Sequence, residues 1–208
     1  LTDEYEKEIT IHTTATDKET GEKIIVAGKK VTIVDTVTLD GLEEGRKYQL
    51  KGWQMLKEEN AELLIDGKRV ESDYTFVADS EKMKVEISYT FDASELGGQN
   101  LVTFEELYDL KNPEEPVKVA EHKDINDEGQ TIHIPAAQTT ATDDSSKINV
   151  SEAKKEVSVT DTVAYRNLVP GKEYTVRGIA VDKETGEPLT DADGNELGSL
   201  SLIHISEP

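Results

Sequence analysis

A histidine, a carboxylate and a primary amide, His122, Asp127 and Gln130, lie within nine residues of one another in the stretch Glu121–Thr131 (EHKDINDEGQT). A strand-like run, Thr131-Ile132-His133-Ile134, begins directly after them. Such residue types can serve half of an acyl-transfer site, and the other half lies more than a hundred residues earlier. There Ile11-His12-Thr13-Thr14-Ala15-Thr16-Asp17 supplies hydroxyls, while Asp35 and Glu105 are acids set among apolar residues. An ester forms if the Thr13 hydroxyl attacks the side-chain carbonyl of Gln130 and ammonia leaves. That step needs a base for the hydroxyl, a donor for the developing oxyanion and an acid for the leaving amine. His122 is the natural base, with Asp127 to orient it and stabilise the imidazolium. Asp35 and Glu105, if buried together, cannot both ionise cheaply and would share a proton. The neutral member then polarises the amide carbonyl. With each group held by its own strand, effective molarity replaces substrate binding and a single turnover suffices.

The elements that must position these groups read as strands. Glu8–Asp17 alternates and ends in the turn Asp17-Lys18-Glu19-Thr20-Gly21; Val31–Val37 (VTIVDTV) carries Asp35 among β-branched residues. Tyr48–Leu56, Tyr74–Val77, Met83–Phe91, Leu101–Leu107, Val117–Glu121 and Thr131–Ile134 complete about eight strands. Helical period is nowhere sustained over three turns, and turn signals recur at short intervals. The expected fold is an all-β, immunoglobulin-like antiparallel β-sandwich in which the first and last strands run side by side.

Composition bounds the partners. With 23 Lys+Arg against 44 Asp+Glu, the net charge of -21 repels polyanions, so neither nucleic acid nor an anionic membrane is an expected partner. Hydrophobic residues make up 35% of the 208 and aromatics 5%, a lean core that invites a covalent staple. There are no cysteines, which excludes both a disulfide and a zinc–thiolate site. Leu1 in place of Met suggests a fragment, and no signal peptide or membrane-spanning apolar run is present in it.

The chain also repeats itself. Thr139-Thr140-Ala141-Thr142-Asp143 restates Thr13–Asp17 and Asp161-Thr162-Val163 restates Asp35-Thr36-Val37, both at an offset of 126. Gly45 and Gly171, Tyr48 and Tyr174, and Gly52 and Gly178 fall in the same ungapped register. Tandem domains explain this, with residues 1–135 a complete copy and 136–198 the N-terminal part of a second, truncated one. Residues 199–208 look like translated sequencing-adapter read-through and are expected to be a non-native tail. The second copy ends before any equivalent of Phe104-Glu105 or of His122–Gln130. Only Thr139 and Asp161 carry over, and no ester is expected there.

Thr-Thr on the first strand, Asp-Thr on the second, Phe104-Glu105 late in the domain, and the spacing of His122, Asp127 and Gln130 together resemble the Thr–Gln ester-bond domains of Gram-positive surface adhesins, also seen in VaFE-repeat surface proteins. The resemblance spans Glu8 to about Ile134. It implies that Thr13 is the nucleophile and Gln130 its acyl partner, with Asp35, Glu105, His122 and Asp127 in support and no cofactor. The pattern departs at Leu101-Val102-Thr103-Phe104-Glu105, where Thr103 replaces the small residue of the VaFE name. The implied role is a self-crosslinked stalk module of an extracellular, cell-wall-anchored adhesin. Its partners would be neighbouring stalk domains, with any host ligand bound by another domain.

Each residue also has a plainer reading. Thr13 and Thr14 are ordinary strand residues, and isolated acids are common in so acidic a chain. His12, His122 and His133 show no fixed metal-ligand spacing. Asp191-Ala192-Asp193-Gly194-Asn195 lacks the closing Glu of a calcium loop and reads as a hairpin turn. Two other functions compete with the ester. A pilin-type Lys–Asn isopeptide module needs a core-facing Lys on the first strand, whereas Lys18 follows it in a turn. A ligand-binding sandwich, or a hydrolase using His122 and Asp127, needs an open pocket.

Overall fold

The computed structural model describes residues 8–204. Residues 1–7 of the first expected domain and 205–208 of the expected tail lie outside the described residues. Eight main strands build the first domain: β1 (Thr10–Asp17), β2 (Val31–Asp40), β3 (Lys47–Leu56), β7 (Glu71–Val77), β8 (Lys82–Phe91), β9 (Asn100–Asp109), β10 (Val117–His122) and β11 (Thr131–His133). Between β3 and β7 run three two-residue strands that the sequence did not announce, β4 (Ala61–Glu62), β5 (Leu64–Ile65) and β6 (Lys68–Arg69). Among the described residues the only helical element is a single 3₁₀ turn, Glu128–Gln130.

All pairings between these strands are antiparallel, and they form two layers. One sheet has the order β1-β2-β8. The other is centred on β9 and β3, with β10 and β11 sharing the outer edge of β9, and β7 and β4 sharing that of β3. Alternation decides the inner face. On β2, Val31, Ile33, Val37 and Leu39 point inward, as do Val85, Ile87, Tyr89 and Phe91 on β8. From the opposite layer Tyr48, Leu50, Leu101, Leu107 and Ile132 close the core.

The expectation that the first and last strands run side by side is corrected here. β1 belongs to one sheet and β11 to the other, so they meet across the sandwich instead of through a ladder. The free edge of β11 is taken by the β1–β2 connection. Ile24 bridges His133 in parallel, His133 N–H donates to the Lys23 carbonyl (2.8 Å), and Ile25 N–H donates to the His133 carbonyl (3.0 Å). Ile25 is buried beneath.

The second repeat begins with β12 (Ala136–Asp143) and β13 (Val159–Arg166), followed by β14 (Glu173–Ile179) and β15 (Gly198–His204). β12 and β13 pair in the register of β1 and β2, with Thr139 opposite Val163 as Thr13 is opposite Val37. Tyr174 Oη accepts from Val169 N–H at 2.8 Å, as Tyr48 Oη accepts from Glu43 N–H at 3.0 Å. Gly45 and Gly171 share a left-handed φ of 80° and 75°. The strand β15 covers Ser199–His204 of the expected tail and pairs with β14, Gly178 opposite Ser199. Its alternation turns Leu200 and Leu202 outward, where they stay exposed.

Two compact units divide the chain, residues up to Asn167 and residues from Leu168. That boundary lies beyond the repeat junction because the β12–β13 hairpin bonds to the first domain. Asn167 Nδ2 donates to the carbonyls of Gln99 (3.0 Å) and Ile134 (3.1 Å), and Arg166 Nη2 donates to that of Gly97 (3.0 Å).

One close approach matters for the site. A Cβ on Gly52 of β3 would lie 1.8 Å from Tyr89 Oη and 3.1 Å from Glu105 Cγ, so only glycine leaves room for both. Gly52→Ala is therefore expected to destabilise the first domain by about 1–3 kcal/mol. Its repeat equivalent, Gly178→Ala, whose Cβ meets Ser199 Oγ at an ordinary 3.5 Å, should cost little. Urea midpoints of the two variants check this, and equal shifts would refute it.

Candidate functional site

Asp35 occupies the middle of an inward apolar row, with Ile33 and Val37 on either side along β2 and Ile87 opposite on β8. Strand alternation thus forces a carboxyl into the core, where it has no exposed surface. Glu105 comes from the other sheet. It sits on β9, equally buried, between Gly52 on β3 and His122 on β10. The two acids bond to each other across the sandwich.

Burial raises the pKa of both acids. For Glu105 the bond and the charge of Asp35 add to burial and hold it well above the usual carboxylate range; for Asp35 the Glu105 bond, Lys23 and His122 oppose burial. Both carboxyls are thus biased toward the protonated form, and the pair holds a proton between them. Tyr89 Oη donates to Glu105 Oε1 at 3.4 Å. Its own pKa is pushed well up by burial and by the charges of Glu105 and Asp35, so it remains a phenol.

Gln130 closes the 3₁₀ turn and is fully buried. Its amide Nε2 donates to Asp35 Oδ2 (3.2 Å) and Glu105 Oε2 (3.4 Å), so the acid pair holds the nitrogen that would leave. Thr13, on β1 opposite Val37, is also buried, and its hydroxyl lies close enough to Glu105 to draw that carboxyl slightly down. That contact lacks the geometry of a hydrogen bond, and Thr13 Oγ1 is unpartnered. Asp35 Oδ1 and Gln130 Oε1 are unpartnered as well. Each such buried orphan costs about 1–3 kcal/mol.

His122 and Asp127 form a pair at the rim, with Nε2 and Oδ2 2.6 Å apart and side chains 21% and 25% exposed. As the β10 partner of Glu105, His122 shares its face of the sheet. Burial pushes the Asp127 carboxyl up, but the bonds from His122 and from Gly129 N–H (2.7 Å) outweigh it and hold the pKa below the ordinary value. Asp127 also caps the 3₁₀ turn, which aims Gln130 inward.

The sequence-predicted residues thus form a buried cluster of Thr13, Asp35, Glu105 and Gln130, with His122–Asp127 at its edge. Sequence reasoning missed three contributors. Tyr89 and Gly52 shape the pocket around Glu105, and Gly52 was visible only as a repeat match. Lys23 carried no signal at all: it lies in a connection, yet its ammonium donates to the carbonyls of Ala15 on β1 and of Gly129. Thr103, the departure from the family pattern, is buried two residues before Glu105 on β9 and accepts from Gln54 Nε2 at 2.9 Å.

In the second repeat Thr139 and Asp161 are exposed. Their hairpin has the register of β1–β2, but among the described residues nothing equivalent to β9 or the 3₁₀ turn covers it. Among the described residues no group of three or more His, Cys, Asp or Glu could hold a metal ion. His133 instead meets Asn100 Oδ1 at 2.7 Å, and Asp191-Ala192-Asp193-Gly194-Asn195 is a turn closed by Gly194 N–H on the Asp191 carbonyl (3.1 Å).

No curated protein matches the chain. Among solved structures, two crystal forms of a bacterial adhesin from Mobiluncus mulieris containing intramolecular disulfide, isopeptide and ester bond cross-links share its fold. They superpose with TM-scores of 0.53 and 0.51 at 14% identity, over 96% and 94% of this chain and 94% and 97% of theirs. The family model of the T-Q ester bond containing domain matches twice, over residues 9–134 and again over 135–199, in step with the internal repeat. The chain is therefore a tandem member of the T-Q ester bond containing domain family.

Proposed function

We propose that the first domain crosslinks itself through an ester between Thr13 and Gln130, and that the chain serves as a structural stalk module of an extracellular bacterial adhesin. The observation that carries the reading is the set of unpartnered atoms inside a dry site: Thr13 Oγ1, Asp35 Oδ1 and Gln130 Oε1. A nucleophile, a proton acceptor and an acyl oxygen left without partners are what a site about to react requires.

The acid pair accounts for the protons. Thr13 Oγ1 attacks the Gln130 amide carbon, and the hydroxyl proton passes to the Asp35–Glu105 pair, which has a free oxygen at Asp35 Oδ1. As the carbon becomes tetrahedral its nitrogen becomes basic and takes the proton held by the acid pair, to both members of which it is already bonded. The C–N bond breaks, ammonia leaves, and the ester C–O bond remains. The pair ends with one proton, as it began. His122, held by Asp127 at 2.6 Å, lies at the rim of this cluster and offers a second acceptor for the hydroxyl proton.

The competing functions are less well supported. Lys18 stays in the turn after β1, in keeping with the case against a Lys–Asn isopeptide in this domain. A hydrolase needs an open route to its nucleophile, and Thr13 is buried with its acyl partner on the same chain.

Intact mass tests the crosslink. The parent is expected one ammonia lighter than its sequence, with Thr13→Ala and Gln130→Ala at full mass; a parent at full mass would refute the ester. The crosslink should stabilise the domain by about 4–5 kcal/mol over Thr13→Ala, the chain-entropy value for a closed loop of this length, read as a shift in urea midpoint.

The acid pair also makes a pH prediction for the uncrosslinked Thr13→Ala protein. The pKa values of Glu105 and Asp35 are raised on folding. Their contribution is therefore complete below the ordinary carboxylate range and is lost as pH rises through the elevated values. Stability of Thr13→Ala should fall from mildly acidic to alkaline pH, and the fall should shrink in Thr13→Ala/Glu105→Gln. A parallel pH dependence in both would show that the pair is not buried as a proton-sharing unit.

A further inference from the structure

Lys23 bridges the strand and the 3₁₀ turn that carry the reacting groups. Its ammonium donates to the carbonyl of Ala15, two residues past Thr13 on β1, and to that of Gly129, the residue before Gln130. Both contacts come from one half-buried side chain whose backbone is itself fixed to β11 through His133. Gly129 is tightly seated: an added Cβ would lie 3.0 Å from Asp127 Oδ1 and 3.7 Å from the Thr13 carbonyl oxygen. The matching position in the second repeat is Asn149.

We propose that Lys23 is a positioning residue for ester formation, a noncovalent clamp that draws the 3₁₀ turn bearing Gln130 onto the strand bearing Thr13 until the ester replaces it. This rests on the reading of Thr13 and Gln130 as the reacting pair. β1 and the turn belong to different layers and share no ladder, so no regular hydrogen bonding sets their spacing. The Lys23 ammonium supplies that link, because it has three donors and can satisfy one carbonyl on each side. It also places a positive charge beside Asp35, which faces Glu105 from β9, Tyr89 from β8 and His122 from β10 as its other titratable neighbours. Toward Lys23 itself the charged groups are Asp35, Asp127 and Glu128; burial lowers the ammonium pKa and these acids oppose it.

The test follows intact mass over time after a pulse of cell-free synthesis of the full chain, across a range of pH. In Lys23→Met, loss of ammonia should slow by about ten- to a hundred-fold, the scale of a misplacement near 1 Å. Lys23→Arg, which keeps charge and donors, should restore most of the rate. Without its cation Asp35 protonates at higher pH, so the acid limb of the rate profile should move to higher pH in Lys23→Met, which a merely structural residue would not cause. Thr13→Ala/Lys23→Met should remain folded, with a urea midpoint near that of Thr13→Ala.

A parent that crosslinks while Lys23→Met does so at the same rate and with the same profile overturns the clamp alone. A parent that stays at full mass removes the ester reading and the clamp with it. Unfolding of the double variant beside a folded Thr13→Ala makes Lys23 a general structural residue and overturns the proposal. So does ammonia loss that persists in Thr13→Ala and vanishes in the double variant, since Lys23 would then be the acyl acceptor.

Discussion

A proton shared between two carboxyls at the centre of a sandwich is the constraint on which the rest of this domain depends. Asp35 and Glu105 have no exposed surface, and in so dry a place two negative charges cannot coexist. Keeping one proton between them requires that other groups be shaped to fit. Gly52 gives up its side chain so that Tyr89 can reach Glu105, and the Gln130 amide is turned to donate to both acids. The same arrangement leaves a hydroxyl and a carbonyl oxygen without partners. In a chain with few aromatics and no cysteines such orphans are a notable burden, and a reaction that consumes the hydroxyl's donor removes part of it.

Sheet topology gives the proposed crosslink its mechanical meaning. β1 is the edge strand of a three-stranded sheet, and β11 has only three residues of its own. Both are the kind of element that peels first, since each has few ladder bonds to lose. In the proposed stalk, tension enters before β1 and leaves after β11 at Pro135. A covalent link from Thr13 to Gln130 lets that load pass from one sheet directly to the other, so that the strands between them lie outside the force path. Until the link forms, the same task falls to weak contacts: the Lys23 ammonium, the parallel bridge of Ile24 to His133, and the capped turn at Asp127.

How much of this was legible depends on whether the signal was local. Alternation in Val31–Val37 and Met83–Phe91 was enough to predict strands, and it marked Asp35 as an acid set among β-branched residues. The offset of 126 predicted a shared hairpin register, and Thr139 does face Val163 as Thr13 faces Val37. The pairing of β1 and β11 across two sheets was not legible, because it depends on how layers dock and no residue pattern records that. Lys23 was invisible for a related reason: a lysine in a connection normally reaches solvent, and only the tertiary fold brings two carbonyls within its range. Ser199–His204 carries a local signal of its own: its alternating Ser, Leu and Ile pair with β14, with Leu200 and Leu202 on the exposed face.

The two repeats separate what a hairpin encodes from what a site needs. β12 and β13 reproduce β1 and β2 residue for residue, down to Ala141 opposite Asp161 in place of Ala15 opposite Asp35. Yet Thr139 and Asp161 are exposed, while Thr13 and Asp35 are buried. Register is therefore not the source of reactivity. The Asp35 carboxyl is tuned by burial and by Glu105, and Glu105 arrives only when the second sheet docks. Gln130 sits on the turn between β10 and β11, near the end of the domain. The proposed reaction draws its groups from both layers, so it is gated by completion of the fold itself, and a half-folded chain is not locked into a wrong arrangement.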